Sequence, residues 1–119
     1  MNEMDMTSLH EKLIQELRRG VLVMVTLSQL SQSRYGYELI SHMAEQGLEV
    51  EQGTLYPLLR RLESQGLLMS KWNVDSNRPR RYYKISPAGR EVLERLVEDW
   101  RALALVIENL LTDTYEKDG

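Results

Sequence analysis

The sequence lacks cysteine altogether, contains only three prolines, and has no hydrophobic run of membrane-spanning length. Without cysteine, disulfides, thiol catalysis and cysteine-based metal sites are excluded. The apolar run at 21–30 is interrupted by Thr26, Ser28 and Gln29, and it falls well short of the roughly 20 residues of a transmembrane helix. The first six residues carry two acids and no base, so we expect no signal peptide. These absences favour a cytoplasmic protein.

Catalytic patterns are also missing. His10 and His42 fall in different predicted helices, and no acid is spaced to orient either imidazole. The sequence has no phosphate-binding glycine loop and no cluster of metal ligands. We therefore predict no enzyme, no metal and no cofactor.

Positive charge is concentrated in one segment of a chain whose net charge is −3. Residues 54–90 contain eight basic and two acidic residues, which gives +6 for the segment and leaves −9 for the remainder. Such separation is typical of a polyanion-binding surface on an acidic body. Chance clustering of solvated charges is the alternative.

The basic segment opens with a short amphipathic helix. Four of its leucines follow the i, i+3, i+4, i+7 spacing of one helix face, namely Leu55, Leu58, Leu59 and Leu62. Pro57 fits only a first turn, so we expect the helix to start within 52–54, and Gly66 supplies a left-handed residue after its end. The opposite face is polar and basic, which suits a DNA major groove. An ordinary surface helix is the alternative.

A β-hairpin with a basic tip is predicted next. Residues 67–74 and 80–86 alternate as strands, with Leu68, Trp72 and Val74 sharing one face. The turn between them contains Asn77, which we expect in a left-handed conformation. A basic β-ribbon beside a recognition helix is a wing, and wings contact backbone phosphate or the minor groove.

Two helices precede this unit. Thr7 or Ser8 is expected to cap the first, and Gly20 favours a kink or break in its middle. Its apolar residues Leu9, Leu13, Leu17, Val21 and Met24 lie on one face together with Ser28, and only the half after Gly20 is apolar enough to be buried. The second helix is predicted from Tyr35 to Gln46, with Gly47 as its C-terminal cap.

The last helix is expected to begin with Ser86 as N-cap and Pro87 in its first turn. Its apolar residues alternate in spacing between three and four: Leu93, Leu96, Trp100, Leu103, Ile107 and Leu110. That rhythm is typical of a helix seam, and the helix is longer than the small core covers. We expect a second copy of the chain on this face, although folding back is the alternative. A frayed polar tail is expected at 112–119.

Four motifs resemble the PadR family of bacterial transcription regulators. They are Tyr35-Gly36-Tyr37-Glu38, the run from Gly53 to Glu63, Gly66-Leu67, and Arg78-Pro79-Arg80-Arg81-Tyr82-Tyr83. The resemblance spans roughly 17–110 in the family's order and spacing. It implies a winged helix-turn-helix homodimer that usually represses transcription, and a single C-terminal helix is similar to the smaller subfamily.

The resulting fold class is mainly α with a small β-hairpin. Residues 1–90 are expected to form a winged helix-turn-helix DNA-binding domain with an N-terminal helix, and residues 91–119 a C-terminal dimerisation helix and tail. Asn77 departs from the family, in which glycine often precedes the Arg-Pro pair, and this change predicts a stiffer wing tip.

The residues expected to contact duplex DNA are Tyr35, Tyr37, Thr54, Tyr56, Arg60, Arg61, Arg78, Arg80 and Arg81. Arg60 and Arg61 are candidates for base edges, since a guanidinium bridges guanine O6 and N7; a phosphate contact for Arg60 stays open. Thr54 and Tyr56 are expected to donate hydroxyls to phosphate at the helix N-terminus.

The remaining contacts are assigned to the wing and the second helix. Arg78, Arg80 and Arg81 are expected to reach backbone or minor groove, although Arg81 alternates with the buried side of its strand and is alternatively an internal ion-pair partner. Tyr35 and Tyr37 are expected to supply one phosphate contact and one core ring.

Trp100 resembles a tryptophan that lines a central pocket in drug-sensing relatives and stacks flat aromatic compounds. Packing at the seam is the alternative. The sequence thus predicts a sequence-specific DNA-binding transcriptional regulator, a homodimeric repressor of a pseudo-palindromic operator, released by a small aromatic effector if the pocket exists. The alternative function is a winged-helix module that binds an acidic protein partner.

Overall fold

The computed structural model describes residues 3–75 and 77–118, which form helices around a small antiparallel sheet. The elements are α1 (Glu3–Gln29), β1 (Arg34–Tyr35), α2 (Gly36–Glu45), α3 (Gln52–Ser64), β2 (Leu68–Asn73), β3 (Arg80–Ile85) and α4 (Pro87–Asp118). The predicted fold class, mainly α with a small hairpin, is confirmed.

The three strands run in the order β1-β3-β2, and each neighbouring pair is antiparallel. The wing consists of β2, β3 and residues 74–79 between them. The two-residue strand β1 pairs Tyr35 with Tyr82. The Ile85 N–H donates to the Leu30 carbonyl over 2.7 Å, which ties β3 to the end of α1. The wing is therefore anchored at its base by α1 and by the residues that open α2.

The core lies between α1, α2, α3 and one face of the sheet. Its buried apolar side chains are Leu22, Leu27, Leu30, Leu39, Met43, Leu55, Leu58, Leu59, Leu62, Leu68, Tyr83 and Ile85. All four leucines of the α3 stripe are among them, so the predicted inner face of that helix is confirmed. Burying each leucine stabilises the fold by about 1.5–3 kcal/mol.

Glycine ends both central helices as predicted. Gly47 (φ 99°) follows α2 and Gly66 (φ 80°) follows α3, and both lie in the left-handed region. After α3, the Leu67 N–H donates to the Leu62 carbonyl over 2.9 Å, which satisfies a carbonyl that the helix end would leave unpaired. The observed start of α3 at Gln52 falls within the predicted range, but Pro57 is the sixth residue of the helix, so the expectation that it lies in the first turn is wrong.

Ser86 joins the end of α3 to the start of α4. Its hydroxyl oxygen accepts the Gly89 N–H over 3.0 Å, as the predicted N-cap should, and it donates to the Gly66 carbonyl over 2.6 Å. The Ser86 N–H also donates to the Leu67 carbonyl over 3.0 Å. Three hydrogen bonds therefore fix the angle between these two helices at one residue.

The first helix differs from expectation. It is continuous through Gly20 and begins at Glu3, before Thr7 and Ser8, so the predicted break and capping box are wrong. A glycine costs a helix only about 1 kcal/mol, and packing of the following turns offsets that cost. The buried side chains of α1, Leu22, Thr26 and Leu27, all follow Gly20 as predicted, but they lie beside the predicted apolar row and are not members of it.

Two further local predictions are wrong. Residues 112–118 continue α4 and do not form a frayed tail, because the helix carries its own hydrogen bonds; Gly119 lies outside the described residues. Asn77 is not left-handed, since positive φ occurs only at Gly47 and Gly66 among the residues described. The wing loop starts instead with an Asx turn, in which the Asn73 side-chain oxygen accepts the Asp75 N–H over 3.0 Å.

Within residues 3–75 and 77–118, no helix combines the length and apolar character needed to cross a membrane. The same part of the chain contains no group of three or more acidic or histidine side chains placed to hold a metal ion.

Candidate nucleic-acid interface

The outer face of α3 carries the polar and basic side chains predicted for DNA. Its members, all exposed, are Thr54, Pro57, Arg60, Arg61 and Ser64. Because the leucine stripe is buried on the opposite side, the helix cannot rotate these side chains inward without exposing its apolar face. The structure thus brings three predicted contact residues, Thr54, Arg60 and Arg61, onto one surface.

Helix α2 supports this face through a close contact at Gly36. A Cβ atom there would overlap the ring of Tyr56 on α3, so glycine permits the two helices to approach. Tyr56 is half-buried against the core as a result. Tyr37, on the first turn of α2, is exposed. Tyr37 is therefore the more accessible of these two tyrosines for a phosphate contact.

Arg81 lies in an internal network between the wing and α3. Its guanidinium binds the Glu63 carboxylate at 2.7 Å and donates to the Ser70 hydroxyl at 2.9 Å, and Ser70 in turn donates to Glu63. Both charged side chains are only partly exposed. This geometry favours the internal ion pair that the sequence left open for Arg81, which orients the wing against α3.

Arg80 lies on the opposite face of the same strand. Its guanidinium sits 4.5 Å from the ring centroid of Tyr35, a cation–π contact, and Tyr35 meets Tyr82 edge-on at 5.4 Å. Tyr35 is half-buried in this stack. Arg80 and Arg78, which lies in the exposed wing loop, are both accessible from solvent.

The positive charge of Arg60 affects the pKa of Tyr83, a residue of the wing. Burial raises the pKa of Tyr83 above its usual value of 10.0, and the positive charges of Arg81 and Arg60 act against that rise. Arg60 lies one helical turn before Glu63, whose carboxylate binds Ser70 and Arg81 of the sheet, so Arg60 is on the flank of α3 that faces the sheet. Arg61 follows about 100° further around the helix, so the two arginines lie on different flanks of the exposed face.

The sequence missed the exposure of Trp72. Alternation predicted that Trp72 shares a face with Leu68, which is buried, whereas the Trp72 side chain is 59% exposed. The two residues do share a face of β2; the strand simply extends past the edge of the core. The exposure of Trp72 could have been inferred from its position along the strand. Leu68 is at the base of the wing, next to the core, and Trp72 is near the tip.

The two neighbouring wing arginines are expected to respond differently to truncation. We expect Arg81→Ala to lower the free energy of unfolding by about 1 kcal/mol, because it removes the cation that pairs with the partly exposed Glu63 carboxylate and the donor to the Ser70 hydroxyl. Arg80→Ala should change it by less than about 0.5 kcal/mol. Urea denaturation of both variants checks this, and equal losses would contradict the distinct roles of the two side chains.

The long helix α4 leaves most of its apolar row uncovered. Leu93 and Leu96 pack against the chain's own core, whereas Trp100, Leu103, Ile107 and Leu110 are exposed. The first half of α1 exposes Leu9, Leu13 and Leu17 as well. Beside Trp100, an open cleft of about 410 Å³ runs between α1 and α4, lined by Gly20, Val21, Val23, Met24, Leu96, Asp99, Trp100 and Leu103.

Comparison with known proteins places this arrangement among bacterial regulators. The model of the "Transcriptional regulator PadR-like family" matches residues 23–95. The transcriptional regulator Rv3488 of Mycobacterium tuberculosis is 43% identical over 77 residues, which cover 65% of this chain and 69% of that protein.

Solved structures give the same result. A PadR family transcriptional regulator from Eggerthella lenta superposes with a TM-score of 0.87 at 44% identity, covering 91% of this chain and 96% of that one. A PadR-like transcriptional regulator from Bacillus cereus superposes with a TM-score of 0.72 at 32% identity, covering 81% and 96%.

Proposed function

This chain belongs to the PadR-like family of DNA-binding transcriptional regulators, and on that premise we propose that it is a homodimeric repressor acting on bacterial DNA in the cytoplasm. Its operator is pseudo-palindromic, with one half-site for each protomer. The observation that carries the proposal is α3, whose four leucines are buried while Arg60 and Arg61 remain exposed on its outer face.

Helix α3 enters the major groove of a half-site. Arg60 and Arg61 read base edges, because a guanidinium matches the paired acceptors of guanine. Thr54, near the N-terminus of the helix, donates to phosphate, where the helix dipole also favours an anion. Tyr37 and the hydroxyl of Tyr56 add backbone contacts beside it.

The wing holds the flanking backbone through Arg78 and Arg80. Arg81 acts through its ion pair with Glu63, which keeps the wing at a fixed angle to α3. Tyr35 also acts through another residue: its ring lies 4.5 Å from the Arg80 guanidinium and orients that side chain. Phosphate contacts of this kind position a protein on DNA without reading its sequence.

The exposed apolar row of α4 pairs with the row of a second copy. Four large apolar side chains left in water on one helix face are costly, and a seam of two such helices removes them from solvent. The cleft beside Trp100 then lies next to the seam. Its volume of about 410 Å³ suits a small flat aromatic effector, whose binding releases the repressor from its operator.

Binding to the intergenic DNA upstream of the chain's own gene tests the proposal. We expect preference for that duplex over one of mixed sequence in a fluorescence-anisotropy titration. A dimer that contacts about eight phosphates loses affinity with salt at a log–log slope of roughly −7. Arg78→Ala should make that slope about 1 unit shallower without changing the sequence preference.

Arg95→Ala is the matched control for this titration. It removes an exposed arginine from α4, away from the wing, where the side chain pairs with Glu91 at 3.1 Å. Its salt slope should equal that of the wild type. An affinity that does not change with salt would rule out the proposed mode of binding.

A further inference from the structure

The tip of the wing presents an uncovered apolar surface made of Trp72 and Val74. Trp72 is 59% exposed and Val74 is 69% exposed. Tryptophan is large and is usually well buried, and exposed tryptophans concentrate at binding surfaces. Neither residue belongs to the core or to the apolar row of α4, so this patch calls for a partner of its own.

Trp72 lies on the side of the wing that faces α3. Along β2, side chains at alternate positions share a face: Leu68 is in the core, Ser70 bonds to Glu63 of α3, and Trp72 follows. The cross-strand partner of Trp72 is Arg81. Trp72 therefore continues, toward the tip, the surface that runs out from the flank of α3 where Arg60 lies.

The Trp72 indole lies next to the Arg81 guanidinium. The Arg81 guanidinium carbon lies 6.0 Å from the centroid of the Trp72 ring, and Arg81 is itself fixed by Glu63 and Ser70. One side of the ring is thus backed by a cation while the remainder faces solvent. A side chain oriented before binding loses less conformational entropy when a partner arrives.

The charges around the patch define the partner. Trp72 and Val74 lie within the segment of net charge +6; Arg81 is the cross-strand partner of Trp72, Arg60 is on the neighbouring helix, and Asp75 is the acid next to Val74. A partner must carry dense negative charge and also present small apolar edges. Duplex DNA does both, because the C–H edges of its deoxyriboses alternate with phosphates along each strand.

We propose that Trp72 packs against the deoxyribose edge of the DNA backbone beside the wing, with Val74 on the adjoining sugar. This inference rests on the proposed function and adds to it a contact that is apolar. It contributes affinity that salt does not screen, and it sets how deeply the wing sits relative to α3.

Truncation of Trp72 is the first test. We expect Trp72→Ala to weaken binding to a mixed-sequence duplex and to the upstream intergenic duplex by about tenfold in each case, since sugars are common to all sequences. Trp72→Phe, which retains a flat ring, should lose less affinity. The salt slope should stay at the wild-type value in both variants, in contrast to Arg78→Ala.

Met69→Ala is the matched control, since Met69 is 49% exposed and lies on β2 on the face opposite to Trp72. It should bind both duplexes as the wild type does. Urea denaturation of each variant separates binding from folding: the midpoint of Trp72→Ala should stay close to that of the wild type. A tenfold loss matched by partial unfolding would overturn the inference.

Tryptophan fluorescence supplies the second test. In the wild type, saturating duplex should shift the emission to shorter wavelength and reduce acrylamide quenching. Both changes should disappear in Trp72→Phe, in which Trp100 is the remaining indole. If Trp72→Ala binds duplex with wild-type affinity, the proposed Trp72 contact is contradicted, and the proposed function is not affected. If the wild-type chain binds no duplex, or binds only an acidic protein, both the proposed function and the Trp72 contact are contradicted.

Discussion

Replacing Gly89 with alanine is expected to lower the free energy of unfolding by about 2 kcal/mol, although alanine normally favours helices. Gly89 lies in the first turn of α4, against the end of α3. An added Cβ would overlap the Leu67 carbonyl oxygen and would lie 2.7 Å from Cγ1 of Ile85. The strain therefore falls on backbone as well as on a buried side chain.

The backbone at Leu67 has little freedom to retreat. Its carbonyl accepts the Ser86 N–H over 3.0 Å, so moving it away from Gly89 would lengthen a hydrogen bond at the junction of two helices. Ile85 is buried and cannot swing outward without opening the core. Overpacking of this kind typically costs about 1–3 kcal/mol.

Gly20→Ala is the matched control, because it makes the same change within another helix. Apart from the adjoining residues and the backbone of α1 itself, no described atom lies within 4 Å of a Cβ built at Gly20, so alanine should raise the free energy of unfolding by about 0.5–1 kcal/mol. Urea denaturation of the two variants measures both effects. A stabilised Gly89→Ala, or a destabilised Gly20→Ala, would contradict the packing of α4 or the continuity of α1.

Breaking the α4 seam is expected to have the largest effect on DNA binding. In the double variant Leu103→Glu with Leu110→Glu, two exposed apolar side chains of the row become charged. Glutamate keeps helix propensity, but four carboxylates would then face one another across the seam. We expect a monomer whose affinity for a two-half-site operator is at least about 100-fold lower, because the second half-site no longer binds as part of the same molecule.

Leu105→Glu is the control for the seam. Leu105 is 68% exposed on the same helix, but its position in the sequence puts it on the face opposite the apolar row. This variant should remain a dimer with wild-type affinity for the operator. Sedimentation velocity gives the oligomeric state and anisotropy gives the affinity. If the double variant stays dimeric, or Leu105→Glu dissociates, the assigned seam is wrong.

The parts of the fold that the sequence predicted are those set by local pattern. Leu55 to Leu62 specify the inner face of α3 through spacing alone, and Gly66 ends it because glycine enters the left-handed region without strain. Ser86 and Pro87 mark the start of α4 for similarly local reasons. Each of these signals lies within one turn of the residue it controls.

The predictions failed at positions whose structure depends on contacts with residues distant in the sequence or with the neighbouring turns of a helix. Gly20 predicts a break in the first helix, but α1 continues through it because the second half of the helix is packed against the core. Alternation gave the correct face for Trp72 but not its exposure, which depends on where the core ends. Arg81 was left between two roles, and only the fold brings it to Glu63, eighteen residues away.

In the proposed homodimer, Ser86 couples the movement of α4 to that of α3. Because its hydroxyl and N–H lock the end of α3 to the start of α4, the groove-facing helix must swing whenever the long helix tilts. Half-sites on DNA are separated by about 34 Å per helical turn, so a few degrees of tilt at the seam become a mismatch in pitch at the far end. In the proposed repressor, an effector bound beside Trp100 would therefore change the spacing of the two α3 helices by tilting α4 at the seam, without unfolding either protomer.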